Sequence, residues 1–102
     1  MAAREVFRID IELANMVLAM DEEELRAFAD LHEDPTSDEQ TELYIFSLCI
    51  LATRSRHGSK EIAQRAIQQA EGWAAVLPDD SHEKAQRLRI LDSVMALTLQ
   101  FE

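Results

Sequence analysis

The side chains that could do chemistry are few: one cysteine (Cys49), three histidines (His32, His57, His82) and a run of four acids, Asp21-Glu22-Glu23-Glu24. A thiol could serve as a nucleophile, a histidine as a base or metal ligand, and paired carboxylates as a cation site. Each fails on spacing or setting. Cys49 sits inside an apolar stretch, where a thiol behaves as a small buried hydrophobe, and a lone cysteine leaves no intrachain disulfide and points to a reducing compartment. No histidine has a second histidine or a cysteine at i+3 or i+4, and all three fall near predicted helix ends or loops. Neighbouring acids on a helix splay by about 100°, and no glycine-containing loop of alternating oxygen ligands is present. Phosphate-binding glycine loops and nucleophile elbows are absent too. The expectation is no catalytic residue, no metal and no cofactor: not an enzyme.

The elements that position these residues are helices. Leu43-Tyr44-Ile45-Phe46-Ser47-Leu48-Cys49-Ile50-Leu51-Ala52 is apolar at nine of ten positions, all around a helix, so protein or lipid must cover every side. Ten residues are half of the roughly 20 that cross a bilayer, and Glu42, Arg54 and Arg56 bracket the run. It is a core helix, predicted over residues 38–56 with Phe46 and Ile50 at its centre.

Length and composition agree. A chain of 102 residues makes one domain with one core. With 47 % hydrophobic residues, 29 % charged residues, two glycines and two prolines, long helices are favoured over strands or disorder. The formal charge of −10 repels phosphate backbones and anionic lipid, so neither nucleic acid nor membrane is an expected partner. Charged residues interrupt the N-terminal stretch throughout and exclude a signal peptide, which makes the expected location cytoplasmic.

Residues 4–20 read as a first helix with two apolar stripes, Ile9, Leu13, Met16 and Met20 on one side and Phe7, Ile11, Ala14 and Leu18 on the other. One stripe meets the core; the other meets a second helix of the domain or another chain. Asp21 as N-cap with Glu24 three residues on starts a second helix, with Leu25, Phe28 and Ala29 inward, unless it simply continues the first. Pro35 and the caps Thr36 and Ser37 mark a loop. Gly58 fits a left-handed position closing the core helix, Ser59 the next N-cap, and residues 60–77 a fourth helix that Pro78 stops. Asp80-Ser81-His82-Glu83 reads as a capping box into a last helix over residues 81–101.

The spacing of Ala66, Ala70, Trp73, Ala74 and Pro78, with Leu43, Phe46, Ser47 and Ile50 in the preceding helix, resembles a tetratricopeptide repeat. Leu88, Leu91, Asp92 and Met95 echo the second set 45 residues later, which resembles the longer-period variety. Trp73 and Asp92 depart from the small residues that family places there. The resemblance spans residues 38–102, about one and a half repeats. It implies an all-α, five-helix array of antiparallel hairpins with right-handed superhelical packing. The single domain over 1–102 then comprises a helical cap at 4–33, a repeat hairpin at 38–77 and a terminal helix at 81–101. The resemblance also implies protein binding, of a peptide or a helix, and so a scaffold or adaptor.

In the last helix Leu88, Leu91, Met95 and Leu99 suffice to cover the fourth helix, which leaves Ile90, Val94, Leu97 and Phe101 as a surplus stripe. A homodimer covers it most simply, with the first helix folding back or a foreign helix as the other covers. The expected interface comprises Phe7, Ile11, Leu18, Ile90, Val94, Leu97 and Phe101. The competing function is an acidic inhibitor or nucleic-acid mimic, which needs its acids on one face. Here they gather at helix starts: Asp21 to Glu24, Asp38 and Glu39, Asp79 and Asp80.

Overall fold

Among the described residues the chain forms five helices in succession: α1 (Ile11–Ala19), α2 (Glu22–Leu31), α3 (Asp38–Arg54), α4 (Ser59–Ala75) and α5 (His82–Thr98). The structure, a computed structural model, describes residues 7–55 and 57–99, apart from the Thr98 side chain. The fold is all-α, with no strand among the described residues. A Cα radius of gyration of 12.8 Å is what one core of this length produces, about 13 Å for 100 residues.

α3 is the axis. Ten of its residues are buried, Phe46 at 1 % exposure and Ile45 and Leu48 at zero, and α2, α4 and α1 pack around it. Ser47 is fully buried as well and satisfies its hydroxyl by donating to the Tyr44 carbonyl at 2.7 Å. Ile50, expected beside Phe46 at the centre, is only half-buried at the margin. α4 lies between α3 and α5, and its buried Ala63, Ala66, Ala70 and Ala74 let both neighbours approach closely.

The helix starts follow local hydrogen bonding. Asp21 accepts from the Glu24 N–H at 2.8 Å, and the Glu24 carboxylate accepts from the Asp21 N–H at 3.2 Å, so α2 begins afresh after an extended Met20. Ser37 caps α3 and Ser81 caps α5, accepting from the Gln40 and Lys84 N–H groups. Three boundaries differ from expectation. α1 begins at Ile11 rather than at residue 4, because Asp10 caps it by accepting from the Glu12 N–H at 2.7 Å; residues 7–10 lie outside the helix. Gly58 takes its left-handed conformation, φ 78°, directly before α4, and Ser59 is the first helical residue rather than the cap. At α5 the third helical position is Lys84, so no reciprocal box forms, and the Glu83 carboxylate is bound elsewhere.

The larger correction concerns the rotation of α5. Ile90 and Val94 are buried in the core at 0 and 1 % exposure, with Leu97 packed against it, whereas Leu88, Met95 and Leu99 are exposed at 40, 49 and 66 %. The cause is Arg87, one turn before Ile90 on the same face. It is 4 % exposed, its guanidinium carbon lies 4.5 Å from the Trp73 ring centroid, and Nη1 donates to the Trp73 carbonyl at 2.7 Å. That anchor turns the Ile90–Val94 side toward α4.

Candidate functional site

The acids that are scattered along the sequence at helix starts converge in space. Asp10 caps α1, Asp38 opens α3, and Glu83 sits in the first turn of α5; together with Glu39 and Glu42 they line a groove of about 820 Å³. Its apolar part is Ile9, Leu13 and Leu43. Leu13 in this lining is 41 % exposed, and Met16, one turn further along α1, is 43 % exposed; Ile11, at 61 %, lines a separate smaller cavity with Phe7, Ile9, Ala14 and Phe46.

One guanidinium organises the walls. Arg8, in the segment before α1, donates from Nη1 and Nη2 to the two oxygens of Glu83 at 2.9 and 2.7 Å. Its Nη2 also reaches Glu42 Oε1 at 3.3 Å, and its backbone N–H donates to the other Glu42 oxygen. Glu42 is buried, so the Arg8 contacts supply the partners that a buried carboxylate requires. Hydrogen bonding to Arg8 draws the Glu83 carboxyl down to about 2, and the same pair pushes the Arg8 guanidinium above its ordinary range. Behind Arg8 a second layer continues the network. Arg87 Nη2 lies 2.9 Å from Asp38 Oδ2 and its Nε 3.4 Å from Glu83, while the Trp73 indole N–H donates to Asp38 Oδ1 at 3.2 Å. Phe7 completes the anchor of this segment, its ring edge-on to Phe46 at 5.3 Å.

The groove therefore holds five carboxylates against one guanidinium on its surface. Among the described residues no donor reaches the Glu39 carboxylate. Three helix starts add about half a positive charge each, which the carboxylates exceed. The site is anionic with an apolar floor, suited to binding a cation that carries apolar surface.

The anticipated interface is dispersed. Phe7 is buried on Phe46, Ile11 is exposed, Leu18 is half-buried, and Ile90 and Val94 are core residues with Leu97 against them; Phe101 lies outside the described residues. Among the described residues of this set only Ile11 is exposed, and it lines a smaller cavity with Phe7 and Phe46 rather than the groove. From sequence, Glu83 has only a capping role and Glu42 only a place at the edge of the apolar run, and neither is joined to Arg8, because no local pattern links positions 34 and 75 residues apart.

The acids Asp21 to Glu24 lie at the other end of the bundle, where Arg26 of the same helix reaches the Ser55 hydroxyl at the end of α3. Arg54 also closes α1 there, donating to the Leu18 and Met20 carbonyls. His32 ends α2, stacked on Phe28 at 4.3 Å, and donates from Nδ1 to the Phe28 carbonyl at 2.8 Å. His57 and His82 are exposed. Burial pushes the Cys49 thiol up to about 12, which removes the nucleophilic thiolate at neutral pH. Among the described residues no three potential ligands converge on a metal position, and no helix is long and apolar enough to cross a membrane. Compared with protein families, curated proteins and solved structures, the chain matches none.

Proposed function

We propose that this protein is an interaction module: it holds a segment of a protein partner at the end of the bundle where α1, α3 and α5 begin, and it does no chemistry. The observation that carries this reading is the half-used first helix. Of its nine residues only Ala14 and Val17 are buried, while Leu13 opens into the groove at 41 % exposure, Met16 is exposed one turn further along, and Ile11 is exposed at a smaller cavity with Phe7 and Phe46. Apolar patches rimmed by polar groups on small proteins mark contact surfaces. The tetratricopeptide-like pattern in α3 to α5 supports the same class of function: Ala66, Ala70 and Ala74 are buried against neighbouring helices, as close hairpin packing requires. Self-association through Ile90, Val94 and Leu97 forms no part of the proposal, since those side chains serve the protein's own core.

Affinity capture from the native extract with the wild type and with the double variant Leu13→Asp, Met16→Asp tests the reading. The wild type should retain a protein that the variant, equally helical by circular dichroism, loses. Identical retention by both, or none by either, overturns it.

The acidic-inhibitor reading gains one observation, the convergence of Asp10, Asp38, Glu39, Glu42 and Glu83 on one groove. It predicts capture of a basic nucleic-acid-binding protein that is indifferent to Leu13 and Met16 and falls steeply with salt.

A further inference from the structure

We propose that the groove takes an amphipathic helix of a protein partner whose polar edge carries arginine, with its apolar side on Ile9, Leu13 and Leu43 and its guanidinium on the Asp10, Asp38 and Glu39 rim. The inference rests on the interaction reading and names the chemistry of the partner.

Three observations converge on it. The first is a resident example. Arg8 already sits on this wall, paired with both oxygens of Glu83 and with Glu42, so the groove is shaped for a planar donor that meets carboxylates two bonds at a time. The second is the surplus. Arg8 occupies Glu42 and Glu83, and Arg87 and the Trp73 indole hold Asp38 from behind, yet Asp38 is still 67 % exposed and Glu39 has no donor among the described residues. A second guanidinium has its counter-charges waiting. The third is the apolar floor, 41 % of Leu13 remaining open in a groove of about 820 Å³, within the size range of sites that enclose ligand side chains.

The fold decides the partner's backbone. No strand edge exists among the described residues to pair with an extended peptide, which favours a partner that satisfies its own N–H and C=O groups, as a helix does. Charge decides its source. A second copy would bring another −10, and nucleic acid or an anionic membrane would set phosphates against five carboxylates; a cationic helix is attracted by the same field.

The probe is a synthetic helical peptide of about 16 residues, roughly four turns, with leucines at i, i+4, i+7 and i+11 and arginines flanking that stripe. Binding is measured by calorimetry at physiological salt against a lysine version, a glutamate version, and a scrambled arginine version that loses the stripe. The arginine peptide should bind the wild type at least about tenfold tighter than the lysine or scrambled ones, with no heat from the glutamate peptide. Leu13→Asp and Glu39→Lys should each weaken it by about tenfold or more, while Leu99→Asp, exposed on α5, should leave it unchanged. Equal binding of arginine and scrambled peptides, or indifference to Leu13→Asp and Glu39→Lys, overturns the inference. Equal binding of the arginine and lysine peptides overturns its arginine part. If the peptides fail while the Leu13, Met16 double variant still abolishes capture of the natural partner, the interaction reading stands and this inference alone falls; if capture is indifferent as well, both fall.

Discussion

Arg8 and Glu83 stand 75 positions apart and meet through two parallel hydrogen bonds, Nη1 to Oε1 at 2.9 Å and Nη2 to Oε2 at 2.7 Å. The pair fastens the segment before α1 to the first turn of α5, across the start of α3. Its side chains are 45 and 37 % exposed, so water screens the attraction and its weight in stability is modest.

That pair sets a pH dependence. The Glu83 carboxyl lies near 2 in the folded protein, below its ordinary 4.5, so its contribution is complete above about pH 4.5 and is lost as pH falls toward 2. The thermal midpoint of Glu83→Gln should lie below that of the wild type at pH 6, and the gap should close between pH 4.5 and 2. A gap that stays constant through this window would show that the ion pair does not form.

Phe46→Ala should cost about 3 to 5 kcal/mol, because the ring is fully buried and carries Phe7 edge-on. Ile50→Ala, at the margin of the same helix, should cost about 1 to 2 kcal/mol. Urea unfolding of both variants checks the ranking; equal losses would place Ile50 in the centre after all.

The rotation of α5 separates two neighbours. Val94→Glu puts a carboxylate into the core and should cost about 4 kcal/mol or more, enough to unfold much of the population. Met95→Glu, half-exposed on the outer side, should stay within about 0.5 kcal/mol of wild type. Circular dichroism with urea titration reads the difference, and the reverse order would mean that α5 turns its other stripe inward.

Cys49 should resist aromatic disulfide reagents in the folded protein. The thiol is enclosed in α3 and pushed up to about 12, so modification requires opening of the core. The native rate should fall at least about a thousandfold below that in denaturant, which corresponds to an opening free energy of about 4 kcal/mol. A native rate near that of a free thiol would show an open or fluid core.

What could be determined from sequence is what short range controls. The caps at Asp21 and Ser37 are readable because a capping oxygen reaches an N–H only two or three residues ahead, whereas at α5 the cap falls on Ser81, one residue beyond the Asp80 that the box pattern indicates. The central place of α3 is readable because a helix apolar on every side has to be covered on every side. The rotation of α5 is different. Its two apolar stripes are comparable in size, so periodicity cannot choose between them, and the choice falls to Arg87, whose carbonyl and ring partner at Trp73 lies on another helix. The start of α1 is a similar case, since a helical spacing of apolar residues through Phe7 and Ile9 is outweighed by the Asp10 cap and by Phe7 and Arg8 docking elsewhere. The groove belongs wholly to tertiary structure. Asp38 and Glu83 read as local acids at helix starts and Asp10 as a residue inside the first helix, and only the antiparallel stacking that brings three helix starts to one end turns them into a single anionic surface around Arg8.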